Sequence, residues 1–147
     1  MKNCLLLFAL ACPLFASSLV EQGKSNYTIV VAESAAPAEQ RAAQELQRFV
    51  QEMSGARLPI AHRVDSLMSP RVFIGRAAIP RQLGVEVPAA LGPEGFIIQT
   101  HGMHLVIAGG GQRGTMYGVT AFLERLGCRW FTTEISRIPK LPTIKLG

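Results

Sequence analysis

Hydrophobic positions along the chain fall into two periodic stretches and several short continuous runs, and their order predicts a fold. Residues 27 to 32, YTIVVA, are rich in β-branched side chains and read as a first strand. Pro37 then opens a helix in which Ala42, Leu46, Phe49, Val50 and Met53 recur at helical spacing. Glu39 sits in its first turn, where the helix dipole favours a negative charge, and Gly55 supplies a left-handed stop. Residues 58 to 61 and 71 to 75 are two further short strands, separated by a polar loop with Asp65, Ser66, Ser69 and Pro70. From 77 to 93 no period is sustained, and Pro80, Gly84, Pro88 and Pro93 predict an irregular excursion with at most one turn of helix.

The clearest hairpin follows. Residues 95 to 100 and 104 to 108 are apolar runs joined through His101, Gly102 and Met103, and Gly102 can take the positive φ of a tight reversal. Met116, Val119, Leu123 and Leu126 then define a second amphipathic helix, which Gly127 ends. Residues 129 to 132 make a short strand, and 139 to 146 add an edge strand interrupted by Pro142. Strand, helix, two strands, hairpin, helix, strand is the order of an α+β domain: a mixed, largely antiparallel β-sheet with two amphipathic helices packed on one face.

Composition changes the picture mainly at the N-terminus. Residues 1 to 18, MKNCLLLFALACPLFASS, combine a basic start at Lys2, an apolar stretch from Cys4 to Phe15, and the small residues Ala16, Ser17 and Ser18. This predicts a signal peptide cleaved near Ser18 and a secreted or periplasmic protein, with 19 to 147 as one domain. The apolar run is shorter than the about 20 residues needed to span a bilayer, so no membrane anchor is expected. Of the three cysteines, Cys128 alone lies outside the signal, so no internal disulfide is expected, and its place beside Trp130 and Phe131 suits a small buried apolar group. The net charge of +5 is spread through arginines without a clustered basic run, which argues against a nucleic-acid partner.

Candidate chemistry centres on residues 104 to 118, HLVIAGGGQRGTMYG. Gly109, Gly111 and Gly114 satisfy G-x-G-x-x-G between a strand and a helix, the arrangement in which backbone amides cradle a phosphate, and Glu134 follows the next strand where a ribose-binding carboxylate would stand. A dinucleotide-binding enzyme is therefore one reading. It lacks the further strand–helix units such a fold requires. The competing reading is structural: Gly109 to Gly111 turn the chain, while Gly114 and Gly118 let the helix lie close to its sheet. On that reading no cofactor is expected. His62, His101 and His104 lack a converging ligand set and read as solvated turn residues rather than a metal site.

Glu86, Glu94, Glu124 and Glu134 have no spacing that would face two carboxyl groups as glycoside hydrolysis demands, and no Ser, His and Asp set stands out. No catalytic residue is nominated. Arg113, Tyr117 and Trp130 are the candidates for sugar contact, the aromatics by stacking and the arginine by charge. For Trp130, in a strand and next to Phe131, a buried sheet position is the simpler reading.

Several segments taken together carry a family resemblance: AAQELQRFVQEMSGARLPI at 42 to 60, VFIGRA at 72 to 77, EGFIIQTHGMHLVIAGGGQRGTMYGVTAFLERLGCRWF at 94 to 131, and IPK at 138 to 140. The combination of the glycine-rich turn, the YGVTAFLE helix and the GCRWF strand resembles the N-terminal domain of bacterial α-glucuronidases of glycoside hydrolase family 67 and of related secreted hydrolases. A similar domain precedes the barrel in β-hexosaminidases. The resemblance implies an α+β accessory module, with the catalytic carboxylates on a downstream (β/α)-barrel. The family's catalytic positions have no counterpart in this chain, and the chain ends near where the connection to a barrel would begin. The expected function is thus a secreted, non-catalytic accessory domain of an α-glucuronidase-like hydrolase of xylan breakdown. Its partners would be that barrel domain or a plant-type polysaccharide. The alternative is a stand-alone carbohydrate-binding module using Arg113, Tyr117 or Trp130.

Overall fold

The computed structural model describes residues 17–134 and 136–147. Apart from Ser17 and Ser18, the expected signal peptide lies outside the described residues. In chain order the elements are β1 (Ser18–Val20), β2 (Thr28–Val31), α1 (Pro37–Ser54), β3 (Ile60–Ala61), β4 (Arg71–Ile74), β5 (Phe96–His101), β6 (His104–Gly109), α2 (Gln112–Arg125), β7 (Arg129–Trp130), β8 (Ser136–Arg137) and β9 (Ile144–Lys145). Both long helices start and stop where their punctuation places them. Pro37 opens α1 and Gly55, at φ 83°, closes it, while Gly127 at φ 103° follows the end of α2.

Five strands form the main sheet in the order β3-β2-β4-β6-β5. Their register sorts the apolar side chains into two sets. Ile29, Val72 and Leu105 lie in one row and Val31, Ile74 and Ile107 in another, and all six pack with Leu46 and Val50 of α1 and Val119 and Leu123 of α2. The intervening row, Val30, Phe73 and Val106, points the other way and packs with Ala78 and Leu83. Both helices therefore cover one face, as expected, and the α+β class with a mixed sheet holds. At about 1.5–3 kcal/mol for each fully buried large apolar side chain, these two layers supply most of the driving force for folding.

Strand direction depends on location. The hairpin β5–β6 and the small ribbons β1–β9 and β7–β8 are antiparallel. The centre of the main sheet supplies the parallel part of the mixture: β2 pairs in parallel with β3 and with β4, and β4 in parallel with β6. Each of these links returns to the same end of the sheet through a crossover: α1 between β2 and β3, and longer connections between the others. Strands buried on both faces also lose the alternation that marks a half-exposed antiparallel strand, which is why VFI and LVIA are continuous.

Three corrections follow. The excursion between β4 and β5 contains three one-turn 3-10 helices, at Arg76–Ala78, Arg81–Leu83 and Ala89–Leu91, rather than at most one turn. Each is bracketed by the punctuation that disguised it, since Gly75, Pro80 and Pro88 precede the turns and Gly84 and Gly92 follow two of them. The strand expected over 129 to 132 pairs outside the main sheet, as β7 with β8. The strand expected over 139 to 146 is shortened to β9 and pairs with β1, whose buried Leu19 and Val20 follow directly on the expected cleavage position.

Candidate functional site

At the corner between β6 and α2 polar groups of several segments meet. The Thr115 hydroxyl accepts a hydrogen bond from the Gly109 amide at 3.0 Å and donates one to Glu39 Oε1 at 3.0 Å. Glu39 lies in the first turn of α1, so one hydroxyl joins the end of β6 and the starts of both helices. The Gly110 amide donates to the Gly95 carbonyl at 2.9 Å, and the Gly114 amide to the Pro93 carbonyl at 3.1 Å. A Cβ at Gly109 would meet the Thr115 amide nitrogen, one at Gly110 the Gly92 carbonyl, and one at Gly114 the Gly95 carbonyl. None of Gly109, Gly110 and Gly111 has a positive φ, so close approach of backbone demands these glycines rather than a left-handed turn. Gly118 plays the seating role expected of it, because a Cβ there would come 2.8 Å from Ile107 Cγ2.

This filling decides what the G-x-G-x-x-G stretch can do. A phosphate cradle needs amides that converge on empty space. Here the amides of Gly110 and Gly114 are taken by carbonyls of the residues leading into β5, and a carboxylate, Glu39, stands beside the helix starts. Carbonyls of the protein thus take two of the amides that an anion would use. Glu134 lies exposed in the bends between β7 and β8, away from this corner in the chain's course.

The three residues expected to contact sugar are not brought together. Arg113 and Tyr117 lie one turn apart on α2; the Arg113 guanidinium pairs with Glu94 at 3.1 Å and Tyr117 is exposed. Trp130 follows the opposite end of that helix. It is not the buried sheet residue expected: it keeps 38 % of its surface exposed and rests edge-on against Phe49, centroids 5.5 Å apart, while the Arg48 guanidinium lies 4.4 Å over the same Phe49 ring. Local hydrogen bonds explain the departure. The Cys128 amide closes onto the Leu123 carbonyl, and the Arg129 guanidinium folds back onto the carbonyls of Glu124 and Cys128 at 2.7 and 2.6 Å, so the chain wraps the helix end instead of joining the sheet.

His104 is not a solvated turn residue. It is buried, its Nδ1 accepts the Arg71 amide at 3.2 Å, and burial, followed by the nearby Arg71 charge, holds its pKa below the usual histidine value. His101 and His62 are exposed, with His62 Nδ1 3.1 Å from the Val31 carbonyl oxygen. Among the described residues no three His, Cys, Asp or Glu side chains are grouped to hold a metal. Cys128 is buried with its thiol 3.7 Å from Met53 Sδ, and burial pushes its pKa up, away from nucleophilic use. Glu86 and Glu94 are exposed in the excursion between β4 and β5, Glu124 on α2 and Glu134 between β7 and β8. Glu39 is the residue sequence reasoning undervalued: its helix-dipole position was legible, its bond to Thr115 was not.

Residues 13–122 match the family model described as the glycosyl hydrolase family 67 N-terminus. The chain belongs to this family. The match ends inside α2, so β7, β8 and β9 lie beyond the matched segment of the family 67 domain. Among solved structures the domain is similar to a family GH115 4-O-methyl-alpha-glucuronidase with specificity for decorated arabinogalactans, at 22% identity and a TM-score of 0.69, over 89% of this chain and 17% of that one. It is also similar to the GH20 β-N-acetylhexosaminidase from Streptomyces coelicolor A3(2), at 17% identity and a TM-score of 0.52, over 88% of this chain and 23% of that one. At these identities the likeness is one of fold. The chain spans about a fifth of the length of either structure. No match is found among curated proteins.

Proposed function

We propose that this family 67 domain is a secreted, non-catalytic accessory module of an α-glucuronidase-like glycoside hydrolase of xylan breakdown, supporting a catalytic barrel supplied by further chain. The observation that carries the reading is the family 67 N-terminal match, taken with Glu86, Glu94, Glu124 and Glu134 each exposed at a different place along the chain. Retaining and inverting glycosidases alike need two carboxyl groups about 5–10 Å apart across the scissile bond. The carboxylate most firmly held, Glu39, is committed to Thr115 and so to holding the helices on the sheet. The purified chain should release no uronic acid from glucuronylated xylo-oligosaccharides. Turnover abolished by a single Glu→Gln substitution would contradict the reading.

A second reading, a stand-alone carbohydrate-binding module, draws support from the exposure of Trp130 and Tyr117. Trp130 is the chain's single tryptophan, so its emission reports directly on stacking. Calorimetric binding of uronic-acid oligosaccharides together with a Trp130 emission change, both lost in Trp130→Ala, would favour this second reading over the first.

A further inference from the structure

The parallel neighbours β2 and β4 send the chain to opposite faces of the sheet at their carboxyl ends. β2 leads into α1 on the helix face, and β4 leads through Gly75 into the 3-10 turns on the other face. In an open sheet with parallel strands, such a divergence makes the crevice in which ligands settle. On the helix side the protein fills it: Glu39 Oε1 lies 2.6 Å from where a Cβ on Gly75 would stand. On the other face the segment that follows β4 forms a cleft of its own, about 480 Å³, whose walls include Arg76, the residue after Gly75, with Arg81, Glu86 and the apolar Ile79, Val85 and Val87.

Charge in this cleft is unbalanced. Among the described residues three of the eleven arginines, Arg41, Arg63 and Arg113, have a carboxylate oxygen within 4.0 Å; Arg76 and Arg81 are among the eight that have none, and these two share one cleft with the single carboxylate Glu86. The segment that builds the walls runs from residue 75 to residue 95 without a strand or a long helix. Irregular surface segments of this kind are where binding residues concentrate. Two arginines without internal counterions beside an apolar wall suit an oxyanion carried on a ring, since the guanidinium fork matches carboxylate and phosphate oxygens and the apolar side chains receive the ring.

We propose that this cleft binds a small ring compound bearing an oxyanion, with Arg76 and Arg81 taking the anion and Ile79, Val85 and Val87 taking the ring. Glu86, on the same wall, opposes the anion and sets an upper limit on affinity. The site is separate from the filled β6–α2 corner and does not depend on the accessory reading.

The test is a titration of the full chain, followed by amide NMR shifts, with benzoate, phenyl phosphate and D-glucuronate at millimolar concentrations. Saturable shifts confined to residues 76 to 89 with at least one probe are expected, and the tightest probe tells a carboxylate source from a phosphate one. Arg76→Ala and Arg81→Ala should each weaken binding about tenfold, the loss of one charge-assisted fork. Arg76→Lys, which keeps the charge and loses the fork, should fall between, Glu86→Gln should tighten binding, and Arg41→Ala on α1 should leave it unchanged. No saturable binding of any probe, or binding indifferent to Arg76→Ala and Arg81→Ala, overturns the proposal.

Discussion

The two faces of the main sheet are equally buried and very differently covered. On one face Ile29, Val31, Ile74 and Ile107 meet two helices whose apolar residues recur at helical spacing. On the other, Val30, Phe73 and Val106 are buried as completely, under one-turn helices and loops with no period at all. Helical cover is held by a corner in which backbone fits backbone and Thr115 ties the end of β6 to Glu39. Irregular cover instead contains a cleft lined by arginines without internal counterions. The difference teaches that burial and regularity are separate properties. The helix face supplies rigidity, and the face built from irregular chain keeps surface free for binding.

The largest predicted effect tests whether the irregular layer is true core. Phe73→Ala should cost about 4 kcal/mol in urea unfolding, against about 3 kcal/mol for Leu46→Ala under α1. A loss near 1 kcal/mol for Phe73→Ala would mean that the loops only drape the sheet. Next comes the corner itself. Gly114→Ala drives a methyl into the Gly95 carbonyl and should cost about 3 kcal/mol, because backbone cannot step aside as a side chain can. Gly84, in the irregular layer, has open space around its Cβ position but a φ of 70°, so Gly84→Ala should cost about 1 kcal/mol of backbone strain alone.

Removing one hydroxyl should be felt at three elements. Thr115→Val keeps the shape but leaves the buried Gly109 amide without its acceptor, for a predicted loss of about 2 kcal/mol. The smallest effect is a pH dependence. Because the folded-state pKa of His104 is lowered by burial and by Arg71, its contribution is fully present above the ordinary histidine pKa of about 6.5 and is lost as pH falls below it. Unfolding midpoints of the unmodified chain should therefore drop more between neutral and mildly acid pH than those of His104→Asn, which keeps an acceptor for the Arg71 amide without titrating.

Much of the helix face was legible in the sequence, since Leu46, Val50, Val119 and Leu123 carry the period and Pro37, Gly55 and Gly127 mark the limits. The opposite face was legible only as a hint. Continuous apolar runs at 72 to 74 and 105 to 108 demand cover on both sides, yet nothing in 76 to 91 announces which residues provide it. Strand direction at the sheet centre was not legible, because parallel and antiparallel partners look alike once both faces are buried. Trp130 and His104 were misplaced for a common reason: side-chain-to-backbone bonds, from Arg129 to the end of α2 and from the Arg71 amide to His104, decide exposure there and leave no periodic trace. At the candidate corner the glycines were visible, while Glu39 and Thr115, far apart in sequence, became partners only in space.

The central claim is that the protein's own backbone and Glu39 crowd the glycine-rich corner and close it to a nucleotide phosphate. Thermal unfolding in saturating NAD tests it directly. A ligand at about a hundred times its Kd stabilises a folded protein by about 2.7 kcal/mol, enough to raise the melting temperature by several degrees. The filled corner predicts no shift. A rise that depends on NAD concentration and disappears when Gly114→Ala is made would contradict it.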